Sequence, residues 1–277
     1  MTPKIYMTRL SGYAALSMSA TEDPLFPLEN LQSYDPTDIW KSSATTGGQY
    51  IQIDFGKDVV KNFLLLDGHN LNTVDGYKLE SCASPTFSSG VSEVIAANTP
   101  ADNATLIREF PADSNRYMRL TFKGSNPLAA LPYIGNLFIG IVFQFQYPSE
   151  GGFIDGDRQF QTNKIPSLSG LMRSSQAIGG RRRFEYQWKL IDDAEKADLR
   201  LVINYLRAGL IPFYFQYDSF MPTRLVLMDK DYMPSKHRLT NWSDTDTLVF
   251  IEYLPNDDGD YEYGGQTLVF DVPLVGA

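Results

Sequence analysis

The sequence predicts a mainly β protein of two domains, the first an all-β sandwich and the second a β domain with one flanking α-helix. Three observations predict this. Aromatic residues make up 13% of a 277-residue chain, and aromatic and β-branched side chains favour half-buried pleated surfaces. Short apolar segments separated by Gly, Pro and Asn clusters fill the first half, with almost no helical period. A single well-formed helical period stands in the second half. The length suits two domains better than one.

The strands of the first half follow in order. Tyr50–Phe55 alternates large apolar with polar residues, the mark of a half-buried strand, and Gly56-Lys57-Asp58 turns the chain. Asn62–Leu66 is short and continuously apolar, which suits a strand buried on both faces. Tyr77–Ser81, Leu106–Phe110, Tyr117–Phe122 and Ile134–Tyr147 are further strands, with loops at Ala97–Asp102 and Gly124–Pro127. Pro148–Gly152 is a polar turn-forming cluster and marks the boundary between domains 1–147 and 148–277.

In the second half, Phe184–Leu190 alternates strictly, and Ile211–Tyr217, Leu225–Met228, Thr247–Leu254 and Thr267–Pro273 read as strands. The helix is expected over residues 192–208. Asp192 or Asp193 caps it, Ala194, Ala197, Leu201, Val202, Tyr205 and Leu206 form its apolar stripe, and Gly209 ends it. Phe184, Tyr186, Trp188, Phe213 and Phe215 read as facing strands of one core.

Composition excludes several functions. Two His and one Cys rule out disulfides within the chain, Cys-based zinc sites and multi-His metal cages. Net charge is −9, divided between the halves, so neither is a basic nucleic-acid module and no nucleic-acid partner is expected. The first residues lack the apolar core of a secretory signal, and no run of about 18 apolar residues predicts a membrane span. No nucleophile elbow, zinc-protease, phosphate-loop or dinucleotide motif is present. No cofactor and no catalytic activity are expected.

Six pieces carry a resemblance: Asn30-Leu31 with Pro36, Trp40–Ser43, Tyr50–Gly56, Asp67–Leu71, Arg116–Leu120 and Ile134–Gly140. In this order they resemble a galactose-binding-like (discoidin, F5/8 type C) jelly roll, in the form found in tailed-phage tail and tail-tip proteins. The resemblance spans roughly residues 25–147. The segment Gly180–Trp188, the helix, and Gly209–Phe215 are similar to the strand–helix–strand core of distal-tail and tail-adaptor proteins, which build a sandwich or small barrel and assemble as rings.

These resemblances imply a structural virion protein of a phage tail tip or baseplate. It would be made in the host cytoplasm and form a homo-oligomeric ring against the tail tube and tail hub. The alternative is a carbohydrate-binding protein that recognises a host surface glycan. For ligand binding the candidates are Tyr34, Trp40, His69 and Asn70, with Trp40 or Tyr34 stacking on a sugar ring. Arg181, Arg182 and Arg183 form the densest positive patch and are the interface candidates. His69 is expected to be a turn or core residue and Cys82 a small buried hydrophobe. Asp229 with Asp231 and Asp257-Asp258-Gly259-Asp260 are acidic groups with oxygen ligands for Ca²⁺, the second favoured as a polar hairpin loop and the first weakened by Lys230 and its strand context. The discoidin-like resemblance implies Asp35 and Asp38 as the acids nearest a structural Ca²⁺ position, and no metal is expected.

Overall fold

In a computed structural model of the chain, the described residues are 2–8, 15–35, 37–123 and 127–145, then 154–155, 159–161, 164–166, 172–174, 178–181, 183–188, 193–206, 211–217, 223–228 and 246–252. They divide into two units, one of residues 6–143 and one of residues 1–5 with 144–277. The boundary expected at 147/148 compares with a division at 143/144. Among the described residues no helix is long and apolar enough to cross a membrane.

The first unit is a β-sandwich. Its strands are β1 (Lys4–Thr8, of which Tyr6–Thr8 belong here), β2 (Ala15–Met18), β3 (Trp40–Lys41), β4 (Tyr50–Asp54), β5 (Lys61–Asp67) and β6 (Tyr77–Cys82). They continue with β7 (Ser92–Asn98), β8 (Leu106–Asp113), β9 (Tyr117–Phe122), β10 (Tyr133–Ile134) and β11 (Asn136–Gln144). One sheet has the order β2-β4-β9-β6-β7 and is antiparallel throughout. In the other, β11, β5 and β8 lie side by side, also antiparallel. Ile51, Ile53, Leu79, Met118 and Leu120 from the first sheet share one core with Leu64, Leu66, Leu106, Leu137 and Ile139 from the second. This shared core makes the two sheets a sandwich.

Alternation places each strand. In β4, Ile51 and Ile53 are fully buried while Tyr50, Gln52 and Asp54 face outward. β5 is buried on both faces, as its continuous apolar run predicts: Phe63 and Leu65 are as inaccessible as Leu64 and Leu66. The strand expected over Ile134–Tyr147 is two strands. Gly135 separates them, its N–H donating to the carbonyls of Asp67 (3.1 Å) and Gly68 (3.0 Å). β7 lies where the sequence shows no alternation. Its residues are mostly exposed and the half-buried pair Val94 and Ile95 is adjacent, so no periodicity marks it, and Ala97 and Asn98 of the expected loop belong to it.

Gly76 closes the turn into β6 with φ +102°. A Cβ there would lie 2.4 Å from the Asn98 carbonyl oxygen and 2.7 Å from Thr99 Oγ1. Gly76→Ala is therefore expected to destabilise the unit by about 1–3 kcal/mol through backbone strain and contact with main chain. A lowered urea midpoint with unchanged slope is the signature.

The second unit contains β12 (Ile154–Asp155), β13 (Gln159–Gln161), β14 (Lys164–Pro166), β15 (Met172–Ser174), β16 (Ile178–Arg181) and β17 (Arg183–Trp188). Then come α1 (Asp193–Tyr205), β18 (Phe213–Gln216), β19 (Arg224–Met228) and β20 (Asp246–Glu252). A sheet runs β12-β17-β20-β19-β18, and β13/β16 and β14/β15 form small antiparallel ribbons. Mainly β with one helix is thus what the described residues show. The aromatic residues expected on facing strands lie instead on strands of one sheet. Phe184 pairs across to Phe250, and the Phe250 ring meets Phe213 (5.4 Å) and Phe215 (4.7 Å).

On α1 the buried positions are Leu199, Val202 and, just past its end, Leu206. Ala197 and Leu201 are exposed, so the buried stripe is rotated from the expected one. Val202 and Leu206 of the expected stripe are buried, and packing adds Leu199 in place of Ala197 and Leu201. Thr267–Pro273, the cap residues Asp192 and Gly209, His237, Asp229 with Asp231, and the Asp257–Asp260 cluster lie outside the described residues.

Candidate functional site

Of the residues expected to bind ligand, Trp40, His69 and Asn70 are buried and Tyr34 is half-buried. Trp40 opens β3, pairs with Ile134 of β10 and is fully buried. Its indole stacks on Phe122 at 5.6 Å with 15° between the planes. It presents no free face to a sugar, which corrects the stacking role expected of it. Asn70 is buried and ties two loops together. Its Nδ2 donates to the Leu131 carbonyl (2.9 Å) and its Oδ1 accepts from the Tyr133 N–H (2.9 Å). Both ends of its amide are thus engaged with the backbone of one neighbouring segment.

His69 is also buried, and its Nδ1 accepts from the Leu71 N–H at 3.3 Å. Burial pushes the imidazole pKa down; the Ala104 backbone and the carboxylates of Asp67 and Asp102 oppose this only in part. The ring is therefore a neutral core group, as its turn context predicts. Tyr34 is half-buried, its ring 6.0 Å from Phe138. Asp35 accepts from the N–H (2.8 Å) and hydroxyl (2.7 Å) of Thr37, a local turn. Cys82 is buried, and its thiol donates to the Ser89 carbonyl at 3.3 Å. Arg181 ends β16 opposite Gln159 and Arg183 opens β17 opposite Ile251. Arg182 lies outside the described residues.

The outward face of the five-stranded sheet carries a different constellation. Strand alternation sends Tyr50 and Gln52 of β4 and Arg119 of β9 to this face, and register sets Gln52 directly opposite Arg119. The Arg119 guanidinium lies between two rings, 4.0 Å from the Tyr50 centroid and 3.9 Å from the Phe87 centroid. Its Nη2 donates to Gln52 Oε1 at 2.8 Å. Each cation–π contact of this kind contributes about 0.5–2 kcal/mol.

Phe87 comes from the loop between β6 and β7, which folds over the sheet. Three contacts hold the loop there: the Phe87 ring on Arg119, Gln52 Nε2 donating to the Pro85 carbonyl (3.1 Å), and the Cys82–Ser89 bond. Phe87 takes φ +51°, an uncommon backbone state for a bulky residue.

Charges beside the stack are already paired. Glu80 sits across from Arg119 in register, but Lys78 holds its carboxylate. Arg116 clamps Asp54 with two bonds, Nε to Oδ1 (2.6 Å) and Nη2 to Oδ2 (2.8 Å). That clamp holds the Asp54 carboxyl below the usual carboxylate range. Among the described residues Arg119 has no carboxylate partner. Nothing local in the sequence marks Arg119, because only register and the folded loop bring its neighbours together.

Two other features are accounted for by structure. A shallow open groove of about 440 Å³ lies beside β2, with Leu16, Met18 and Leu28 along it and Glu22 and Glu29 at its rim. Glu22 Oε2 accepts from the Leu28 N–H at 2.7 Å, so this carboxylate holds the chain. Lys61 is fully buried. Its Nζ donates to the Val59 carbonyl (2.9 Å) and the Asn115 carbonyl, lies 3.5 Å from Asp113 Oδ1, and sits 4.8 Å from the Phe55 ring.

No family model and no curated protein matches the chain. Solved structures resemble about half of it. One is chitosan-binding module 1 of a chitosanase/glucanase from Paenibacillus sp. IK-5, at 15% identity over 48% of this chain and 98% of that one, with TM-score 0.41. Another is the family 32 carbohydrate-binding module of NanJ from C. perfringens in complex with galactose, at 11% identity, 50% and 99% coverage and TM-score 0.40. A third is the CBM32 of AlyQ in complex with 4,5-unsaturated mannuronic acid, at 23% identity, 52% and 98% coverage and TM-score 0.36. Likeness at this level speaks to neither ligand nor activity in this chain.

Proposed function

We propose that the chain recognises carbohydrate through the outward face of its N-terminal sandwich. The observation that carries this reading is the Tyr50–Arg119–Phe87 stack with Gln52 beside it. Sugar recognition needs apolar ring surface next to a few fixed hydrogen-bond donors and acceptors. This face supplies both, half-exposed, on a rigid sheet. Binding rather than catalysis is the role. His69 is enclosed and neutral, and Glu22 and Asp54 are held by structural partners. The full chain is expected to bind at least one glycan on an array. Arg119→Ala and Phe87→Ala, each with an unchanged circular dichroism spectrum, are expected to lose at least tenfold in affinity. Undiminished binding by both variants would move the site elsewhere.

A second reading is a structural protein of a phage tail tip or baseplate. The strand–helix–strand order β17, α1, β18 favours it, being the layout on which the tail-protein resemblance rests. In that role the chain forms a ring with neighbouring tail tube and hub proteins, and Arg181, Arg182 and Arg183 face acidic neighbours. Mass spectrometry of washed, purified virions is expected to detect the chain in fixed ratio to tail proteins. Its absence there would end this reading.

A further inference from the structure

We infer that the Arg119 stack is a carboxylate-recognising site, so that the glycan taken by this face carries uronic or other carboxylated sugars. This rests on the carbohydrate reading above and narrows it to a ligand class.

A guanidinium presents its donors in a planar fork that matches a carboxylate in shape and charge. Arg119 makes one hydrogen bond within the protein, to Gln52, among the described residues. Its natural internal partner would be Glu80, directly opposite on β6, but Lys78 takes that carboxylate. Three residues earlier in the chain, Arg116 shows the satisfied arrangement: a two-point clamp on Asp54. At Arg119 the equivalent edge is closed, because Nε is enclosed and Nη2 bonds Gln52, so the donors left toward a ligand are those of the Nη1/Nη2 end, with no acid among the described residues.

The two rings decide where a ligand can reach. Tyr50 and Phe87 lie over the guanidinium at 4.0 and 3.9 Å and Nε is enclosed, so approach is restricted to its Nη1/Nη2 end. Covered faces also shed water, and a charge-assisted hydrogen bond strengthens as the local dielectric falls. The Gln52 bond fixes the rotation of the fork, so little side-chain entropy remains to be lost on binding. A pyranose carboxylate seated on the edge would place its ring beside the phenyl and phenol surfaces.

Overall charge sets a bound on the ligand. A net charge of −9 repels dense polyanions at long range. The site therefore suits single carboxylates spaced along a glycan and not a nucleic acid. Its affinity should fall only modestly between low and physiological salt.

The test uses the full chain and an array of carboxylated glycans, containing uronates and sialic acids, printed beside their methyl-esterified counterparts and neutral glycans. Binding to at least one carboxylated glycan is expected, falling at least tenfold on esterification. Arg119→Gln, with unchanged melting temperature, is expected to abolish the difference between acid and ester. Arg119→Lys, which keeps charge but not the fork, is expected to retain only part of it. Equal binding of acid and ester, binding confined to neutral glycans, or an Arg119→Gln variant that still prefers the acid would each overturn the carboxylate inference while leaving carbohydrate recognition standing. No binding to any glycan would overturn both. Binding to poly-glutamate without any glycan would assign the site to acidic peptides and likewise overturn both.

Discussion

Lys61→Ala is expected to lower the unfolding free energy by about 3–5 kcal/mol, the cost of breaking a buried ion pair from one side. The Lys61 ammonium is fully inaccessible and is held by the carbonyls of Val59 and Asn115, the Asp113 carboxylate and the Phe55 ring. Asp113 is itself held by Ser81 Oγ (2.8 Å), Asn115 Nδ2 (3.1 Å) and the Asn115 N–H (3.1 Å). Removing the lysine leaves an anion and two carbonyls without their cation, and opens a void where its stem lay. Lys61→Met fills the void but not the charge, so it is expected to lose less than alanine. Urea unfolding of both variants measures the difference. An alanine variant within about 1 kcal/mol of the parent would mean that the network reorganises around water.

The same lysine gives a signed pH effect. Burial pushes its pKa below the ordinary lysine value, and Asp113 opposes that only partly. The unfolded chain then binds more protons than the folded one between the folded pKa and the ordinary value. Stability from this group accordingly rises with pH through that window. Tyr6, whose pKa is raised by burial and by its bond to Glu109, acts in the opposite direction at alkaline pH. Because Tyr6 is common to both proteins, subtracting Lys61→Met from the parent isolates the lysine. The difference in stability is expected to grow toward alkaline pH; parallel curves would contradict the burial account.

Trp40→Ala is expected to cost about 3–5 kcal/mol, the range for deleting a large buried ring. The residue fills the core against Phe122, and its backbone pairs β3 with β10. Its Nε1 is buried and has no hydrogen-bond partner among the described residues. Trp40→Phe therefore removes an unsatisfied donor while keeping stacking surface, and is expected to cost well under the alanine change. Glycan binding by the phenylalanine variant is expected to be unchanged. A folded Trp40→Phe protein that bound no glycan would return Trp40 to the ligand site.

Trp40 also shows where sequence reasoning stops. A tryptophan before a serine pair reads equally as a core plug or a sugar platform, since both uses want a large flat ring. Only burial separates them. His69 and Asn70 pose the same choice, and there too the loops close over the side chains. Tyr50, Gln52 and Arg119 lay in segments recognised as strands, yet the sixty-odd residues between β4 and β9 hid their meeting. Phe87 was invisible as a site residue, because it reaches Arg119 through a loop with an unusual backbone state.

Local pattern by itself determined β4, β5 and the presence of the helix. Alternation in Tyr50–Asp54, the continuous run in Lys61–Asp67 and the helical period before Leu206 are one-dimensional records of burial on one face, on two faces and on a stripe. Composition removed thiol and multi-histidine chemistry. Tertiary structure alone decided that α1 buries Leu199 and not Leu201, that the aromatic residues of the second unit share one sheet, and that Arg119 rather than Trp40 faces outward between two rings. The physical reason is common to all three. Periodicity fixes which residues share a face, whereas register and loop closure fix which faces meet, and those depend on contacts between residues far apart in the chain.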